Sequence, residues 1–180
     1  MAVHRTDRAT LGEALAHVLR EADIDRAAVS VEDGALEVVV LNALSDAGGR
    51  PVVSNDEGGS GCLFDATCGI TDVVGAVAET GSIVCGSGPR SSRGAFIVPP
   101  VHVAIVKVAQ LVPDLADAFQ SMADGRWSLD RSAVVIVSGP SKTADIEGVL
   151  VTGVHGPGQV HVMLVDGRLP DTGPTEPRTA

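Results

Sequence analysis

At 180 residues with a hydrophobic fraction of 44%, the chain is long enough to bury one proper core. Its formal charge of −10 and its few aromatics (three Phe, one Trp, no Tyr) argue against a nucleic-acid surface, which needs cations and stacking platforms. Cys62, Cys68 and Cys85 contain no Cys-x-x-Cys pair, so neither a disulfide framework nor an iron–sulfur ligand set is expected of this chain. Met1 to Arg8 is polar, and no run approaches the roughly 20 apolar residues of a membrane span, which predicts a cytoplasmic protein without membrane insertion.

In chain order, Thr10-Leu11-Gly12-Glu13 reads as a capping box in which Thr10 and Glu13 satisfy each other's amides. Leu11, Ala14, Leu15, Val18, Leu19 and Ala22 then follow helical spacing. The apolar run Leu36 to Leu41 predicts a buried strand, and Ser45 to Gly61, rich in Gly, Asp and Asn, a mobile loop. Gly58-Gly59-Ser60-Gly61 within it lacks the Gly-Lys-Ser/Thr ending of a nucleotide loop and reads as a flexible connector. Thr71 to Ala78 predicts a short helix opened by Thr71 or Asp72. Ser82 to Cys85 and Val101 to Val108 predict strands, separated by a basic loop around Arg90 and Arg93. Pro113 opens a further amphipathic helix through Leu115, Ala116, Phe119 and Met122. Ala133 to Val137 predicts a strand covered on both faces. Thr143 to Glu147 predicts a short helix, with strands at Val149 to Val154 and Val160 to Val165. This alternation predicts an α/β fold, a three-layer α/β/α sandwich around a mainly parallel sheet. A single domain over residues 1–166 and a disordered polar tail over 167–180 follow.

Three Gly-punctuated turns carry the candidate chemistry. Glu79 in Ala78-Glu79-Thr80-Gly81-Ser82 is a candidate base or nucleophile beside the Thr80 hydroxyl, and Gly81 allows close backbone approach. The plainer reading of Glu79 is a carboxylate binding neighbouring amides. In Ser138-Gly139-Pro140-Ser141-Lys142-Thr143, a strand ends at Gly139 and a helix is predicted to open. Free helix-start amides, the hydroxyls of Ser141 and Thr143 and the Lys142 ammonium would then hold an anion, with ordinary capping as the alternative. His155, in the turn Gly153-Val154-His155-Gly156-Pro157, is the better functional histidine. His102 and His161 lie inside apolar strands and read as core residues, so no metal set with Asp145 is expected. Arg93 is a candidate clamp closing over a carboxylate or phosphate held between the Lys142, Glu79 and His155 turns.

At these residues the chain resembles the lactate-utilisation, or LUD-domain, family. The resemblance rests on Ile70-Thr71, Ala78 to Val84, Arg93, Val98-Pro99-Pro100-Val101-His102, Ser138 to Glu147, Gly153 to Pro157 and His161 to Asp166. These blocks are concentrated in residues 69–166 and cover a little over half the chain. The resemblance implies a NagB/RpiA/CoA-transferase-like fold and a role in bacterial oxidation of L-lactate to pyruvate. It also implies iron–sulfur partner proteins that carry the clusters, with none bound by this chain. Two other functions stay open: a free-standing binding or acyl-transfer domain for a phosphorylated metabolite, folate or coenzyme A, and a pure scaffold. A thioester adduct on Glu79 would mark transfer chemistry; indifference to replacement of Glu79 and Lys142 would mark a scaffold.

Overall fold

The computed structural model describes residues 1–52, 63–88, 91–128, 130–144, 150–153 and 155–167. The first half holds β1 (Ala2–Asp7), α1 (Leu11–Glu21), β2 (Arg26–Ser30), α2 (Gly34–Asp46), β3 (Arg50–Pro51) and β4 (Cys68–Asp72). Next come β5 (Gly75–Val77), β6 (Ser82–Ser87), α3 (Arg93–Ile97), β7 (Val101–Lys107) and β8 (Leu111–Val112). The chain continues through α4 (Leu115–Ala123), β9 (Ala133–Val137), β10 (Lys142–Ala144), β11 (Leu150–Thr152) and β12 (Gln159–Asp166). The main sheet has six strands in the order β1-β12-β7-β4-β2-β3, and every neighbouring pair is parallel. A four-stranded sheet, β8-β5-β6-β9, and the antiparallel pair β10-β11 complete the described strands.

Parallel strands need cover on both faces, and two apolar layers supply it. Leu11, Leu15 and Leu19 of α1 and Leu36, Val40 and Leu44 of α2 pack on Ile70, Val103, Ile105 and Met163. Each such leucine contributes roughly 1.5–3 kcal/mol by leaving water. The opposite face, with Ala104, Val106, Val160 and Val162, is covered by Ala76, Ile83 and Cys85 of the small sheet and by Phe96 of α3. α4 closes the outer side of the small sheet, where Ala118 meets Val77, Val84, Val112 and Trp127. The α/β class and mainly parallel sheet are as the alternation predicts.

Several predicted elements change type. Leu36 to Leu41 is helical, because the Asp33 carboxylate accepts from the amides of Ala35 and Leu36 (3.1 and 3.2 Å) and caps α2. Its buried residues Leu36, Val40, Ala43 and Leu44 fall at helical spacing, hidden in sequence by the apolar residues between them. Thr71 to Ala78 is not a helix but the end of β4 and all of β5, drawn into the sheets by β2 and β7 on one side and β6 on the other. The capping box does not form: Asp7 Oδ1 accepts from the amides of Ala9 and Thr10 and from the Thr10 hydroxyl, which turns that hydroxyl away from α1. α4 is capped by Asp114, which accepts from the amide of Asp117 at 2.9 Å. α4 buries Ala118 and Ser121, leaving Phe119 exposed. β9 pairs only with β6 among the described strands and is half exposed rather than covered on both faces. Thr143 and Ala144 belong to β10, not to a helix, and Asp145–Glu147 lie outside the described residues. Most of the predicted loop (53–62), with Cys62, lies outside them too, as do Arg90 and the tail over 168–180.

Candidate functional site

The turn residues singled out in the sequence gather at the end of the main sheet where its strands begin. β5 and β6 form a hairpin with Val77 opposite Ser82, so Glu79 and Thr80 ride in the turn Ala78–Gly81, both exposed. Gly81 takes φ 63°, the left-handed region that glycine enters without strain. The Glu79 amide donates to the Pro113 carbonyl at 3.0 Å, while its side chain reaches solvent. From Thr80 a chain of hydroxyls runs inward and across: Thr80 Oγ1 to Ser82 Oγ at 2.7 Å, then Ser82 Oγ to Ser138 Oγ at 2.7 Å. Beyond Ser138, Gly139 takes φ 116° and the chain reaches Ser141. The Ser141 amide donates to the Pro157 carbonyl (2.8 Å), and its own carbonyl accepts from Gly153 (3.0 Å). The Gly158 amide in turn donates to Pro100, just ahead of β7. Thr80, Gly139 and Ser141 thus belong to one linked set of turns, with Lys142 and His155 exposed beside Ser141. Lys142 starts a strand, so helix-start amides are not part of this end.

Arg93 is not brought to that group. It is the exposed first residue of α3, and the preceding Ser92 amide donates to Ser30 Oγ at 2.8 Å, where β2 ends. α3 then runs back over β4, passing so close to Gly69 that an added Cβ would lie 1.6 Å from the Ala95 carbonyl oxygen. Arg93 therefore stands at the opposite edge of the sheet from Ser141.

His102 is fully buried, its Nε2 bonded to Thr71 Oγ1 at 2.9 Å and its ring tilted against Phe96. Its Nδ1 has no partner among the described residues, and burial pushes its pKa down to about 4, so the ring is neutral at pH 7. His161 Nδ1 meets His4 Nε2 at 3.1 Å across β12 and β1; burial and the neighbouring His4 hold its pKa below the usual value. Cys68 and Cys85 are buried free thiols, pushed up to about 12 by desolvation. Among the described residues no group of three or more His, Cys, Asp or Glu is arranged to hold a metal ion.

The end of the sheet where its strands finish, the usual ligand edge of open parallel sheets, carries a cleft of about 260 Å³ that sequence reasoning missed. Glu32 follows β2, Asp72 ends β4, and Gln110 follows β7; Trp127 and Arg131 come from the connection before β9. Arg131 binds Glu32 with both terminal nitrogens, the Nη2–Oε2 bond measuring 2.9 Å, and this pairing raises its pKa. The Glu32 amide donates to Asp72 Oδ2 at 3.1 Å, while burial and, secondarily, the Glu32 charge push the Asp72 carboxyl up. Lys107 Nζ donates to Asp33 Oδ2 at 3.1 Å behind the cleft. Two glycines make the wall possible: an added Cβ would lie 2.4 Å from Arg131 Cδ at Gly86, and 2.1 Å from the Trp127 ring at Gly75. The available signal was Glu32-Asp33-Gly34, an acidic stretch ending a strand, but it emerges only once β2 is placed.

These features define an α/β domain with a parallel sheet, a second small sheet on one face and polar sites at both strand ends. The chain belongs to the LUD domain family, matching it over residues 1–165. Lactate utilization protein C of Exiguobacterium sp. is 40% identical over 106 residues, covering 56% of this chain and 44% of that protein. Lactate utilization protein C of Bacillus subtilis is 36% identical over 107 residues, covering 57% and 44%. The matched segment thus spans less than half the length of these relatives. A DUF162 family protein from Deinococcus radiodurans, solved at 1.70 Å, has the same fold, with a TM-score of 0.62 and 20% identity over 92% of this chain and 88% of its own. No described helix is long and apolar enough to cross a membrane.

Proposed function

We propose that this protein acts in lactate utilisation, as the cluster-free member of an assembly with iron–sulfur proteins that oxidises L-lactate to pyruvate. In that reaction two electrons pass to clusters in the partner proteins and two protons are released. The small carboxylate is held at the linked turns, by the hydroxyls of Thr80 and Ser141, the backbone at Gly81 and Gly139, and Lys142 and His155. Glu79, exposed on the hairpin, is the base that takes the lactate hydroxyl proton, facing the reacting carbon rather than the carboxylate it would otherwise repel. Arg93 is left out because it sits at the other sheet edge. One observation carries the reading: the Ser82–Ser138 hydroxyl contact joins two segments 56 positions apart that hold the family-like motifs. Relatives named for lactate utilization, 36–40% identical over 106–107 residues, support it further.

Two measurements test this. Deleting the gene in a host without a paralogue abolishes growth on L-lactate as sole carbon source; unchanged growth would refute the role. Separately, calorimetric titration with L-lactate and pyruvate should show Lys142→Ala weakening binding about tenfold, the worth of one solvent-screened charged hydrogen bond. Unchanged affinity would remove the site while leaving the role standing.

A further inference from the structure

We propose that the cleft between Glu32, Asp72, Gln110 and Trp127 is a binding site for a small neutral polyhydroxylated molecule, a polyol or sugar. It lies at the far sheet edge from the linked turns, and the proposal does not rest on the lactate reading.

Charge comes first. Glu32 and Asp72 line the cleft opposite Arg126 and Arg131, so formal charges cancel and neither a strong anion nor a cation is favoured. The bidentate pair presents its acceptor side: Glu32 keeps 35% of its side chain exposed and Arg131 only 17%. A phosphate or carboxylate entering here meets the Glu32 and Asp72 carboxylates as well as the exposed Arg126 guanidinium, so it gains little net attraction. A divalent cation would have to strip Glu32 from Arg131, and no ligand trio among the described residues replaces what it would lose.

Hydrogen-bond inventory narrows the class further. Ser91 spends its proton on the Gly86 carbonyl at 2.7 Å, so its oxygen can only accept from a ligand. Gln110 is held at both ends, its nitrogen donating to the Val73 carbonyl and its oxygen accepting from the Lys107 amide. The wall thus combines fixed acceptors, namely the two carboxylates and the Ser91 oxygen, with donors on Arg126 and at Arg131 Nε, which is buried without a partner among the described residues, and calls for a ligand with several donors and acceptors and no net charge. Hydroxyl groups on adjacent carbons meet that requirement. A volume of about 260 Å³, below the range of roughly 300–1,000 Å³ usual for drug-sized ligands, limits the occupant to a small molecule.

Trp127 is the sole tryptophan of the chain, so its emission reports the cleft directly. The full-length protein is titrated with myo-inositol, D-ribose and D-glucose, and in parallel with ethanolamine, inorganic phosphate and L-lactate. At least one of the three neutral probes is expected to give a saturable change at millimolar concentration, weakened roughly tenfold or more in Glu32→Gln and in Asp72→Asn. If neither variant folds, amide shifts of Gly86 and Gln110 in the wild-type protein on adding the same probes decide. Saturation by phosphate, lactate or ethanolamine in preference to all three polyols overturns the proposal. So do equal affinities in wild type and a folded variant, shifts confined to residues outside the cleft, or no saturable response to any neutral probe.

Discussion

Gly69 and Gly75 both sit where side chains are forbidden, but what they face differs, and that sets their tolerance. A Cβ at Gly69 would lie 1.6 Å from the carbonyl oxygen of Ala95, a backbone atom of α3 that cannot move without lifting the helix from β4. At Gly75 the obstacle is the Trp127 ring, 2.1 Å away, and a ring can tilt. Gly69→Ala is therefore expected to cost more than about 4 kcal/mol and to compromise folding, while Gly75→Ala costs about 1–3 kcal/mol. Gly75→Ala should also shift tryptophan emission to the red, since the displaced ring leaves a position only 6% exposed. Denaturant melts give the ranking, and a Gly69→Ala protein as stable as Gly75→Ala would mean that α3 does not press on β4 as described.

Asp33 shows how a single residue decides the type of an element that its own sequence disguises. The stretch Leu36 to Leu41 carries three consecutive valines, a composition suited to a strand, yet it follows a carboxylate that binds two helix-start amides. Asp33 also accepts from Lys107 at the end of β7, tying α2 to the sheet; burial opposes its charge, but the Lys107 bond and the capping amides together hold its pKa below the usual carboxylate value. Asp33→Ala removes both functions and is expected to destabilise by about 1–2 kcal/mol. Asp33→Asn keeps an acceptor for the cap and loses only a partly screened ion pair, costing about 0.5–1 kcal/mol. Equal losses in the two variants, measured by urea titration, would assign the whole effect to Lys107. Other elements were legible for the opposite reason: Leu11 to Leu19 of α1 alternates apolar and polar residues at helical spacing, and β7 and β12 are mainly apolar runs, broken inside by His102 and His161, that suit a strand covered on both faces. Thr71 to Ala78 misleads because its helix-start residue, Asp72, instead receives the Glu32 amide from a neighbouring strand, a long-range bond invisible to local pattern.

At the scale of the molecule, alternation of apolar segments reveals the parallel sheet, while the small sheet over its second face depends on pairings between short strands far apart in sequence. The two polar ends differ in the same way. Turns rich in Gly, Ser and Thr announce themselves locally, whereas the cleft draws Glu32, Asp72, Gln110, Trp127 and Arg131 from four separate segments. Between the layers lies His102, fully buried on the main sheet against Thr71 and the Phe96 ring of α3, with Nδ1 unpartnered among the described residues. Its pKa falls from 6.5 to about 4 in the folded chain, so between those values the unfolded chain takes a proton that the folded chain refuses. Stability that is fully present above pH 6.5 is therefore lost as pH falls toward 4, on the order of 2–3 kcal/mol by pH 4.5 from this residue. His161, whose pKa is lowered mainly by burial, adds in the same direction. Asp72 acts oppositely: its raised pKa keeps a proton on the folded carboxyl after the unfolded one has lost it, so its share is lost as pH rises and offsets part of the histidine effect. His102→Gln retains an amide for Thr71 but no longer titrates, and should flatten the fall in unfolding free energy between pH 7 and pH 4.5. The comparison is the pH-dependent change within each protein, so a lower baseline in the variant does not blur it. If His102→Gln loses as much stability on acidification as the wild type, the acid sensitivity arises elsewhere, and the seam between α3 and the main sheet is not where the protein first yields.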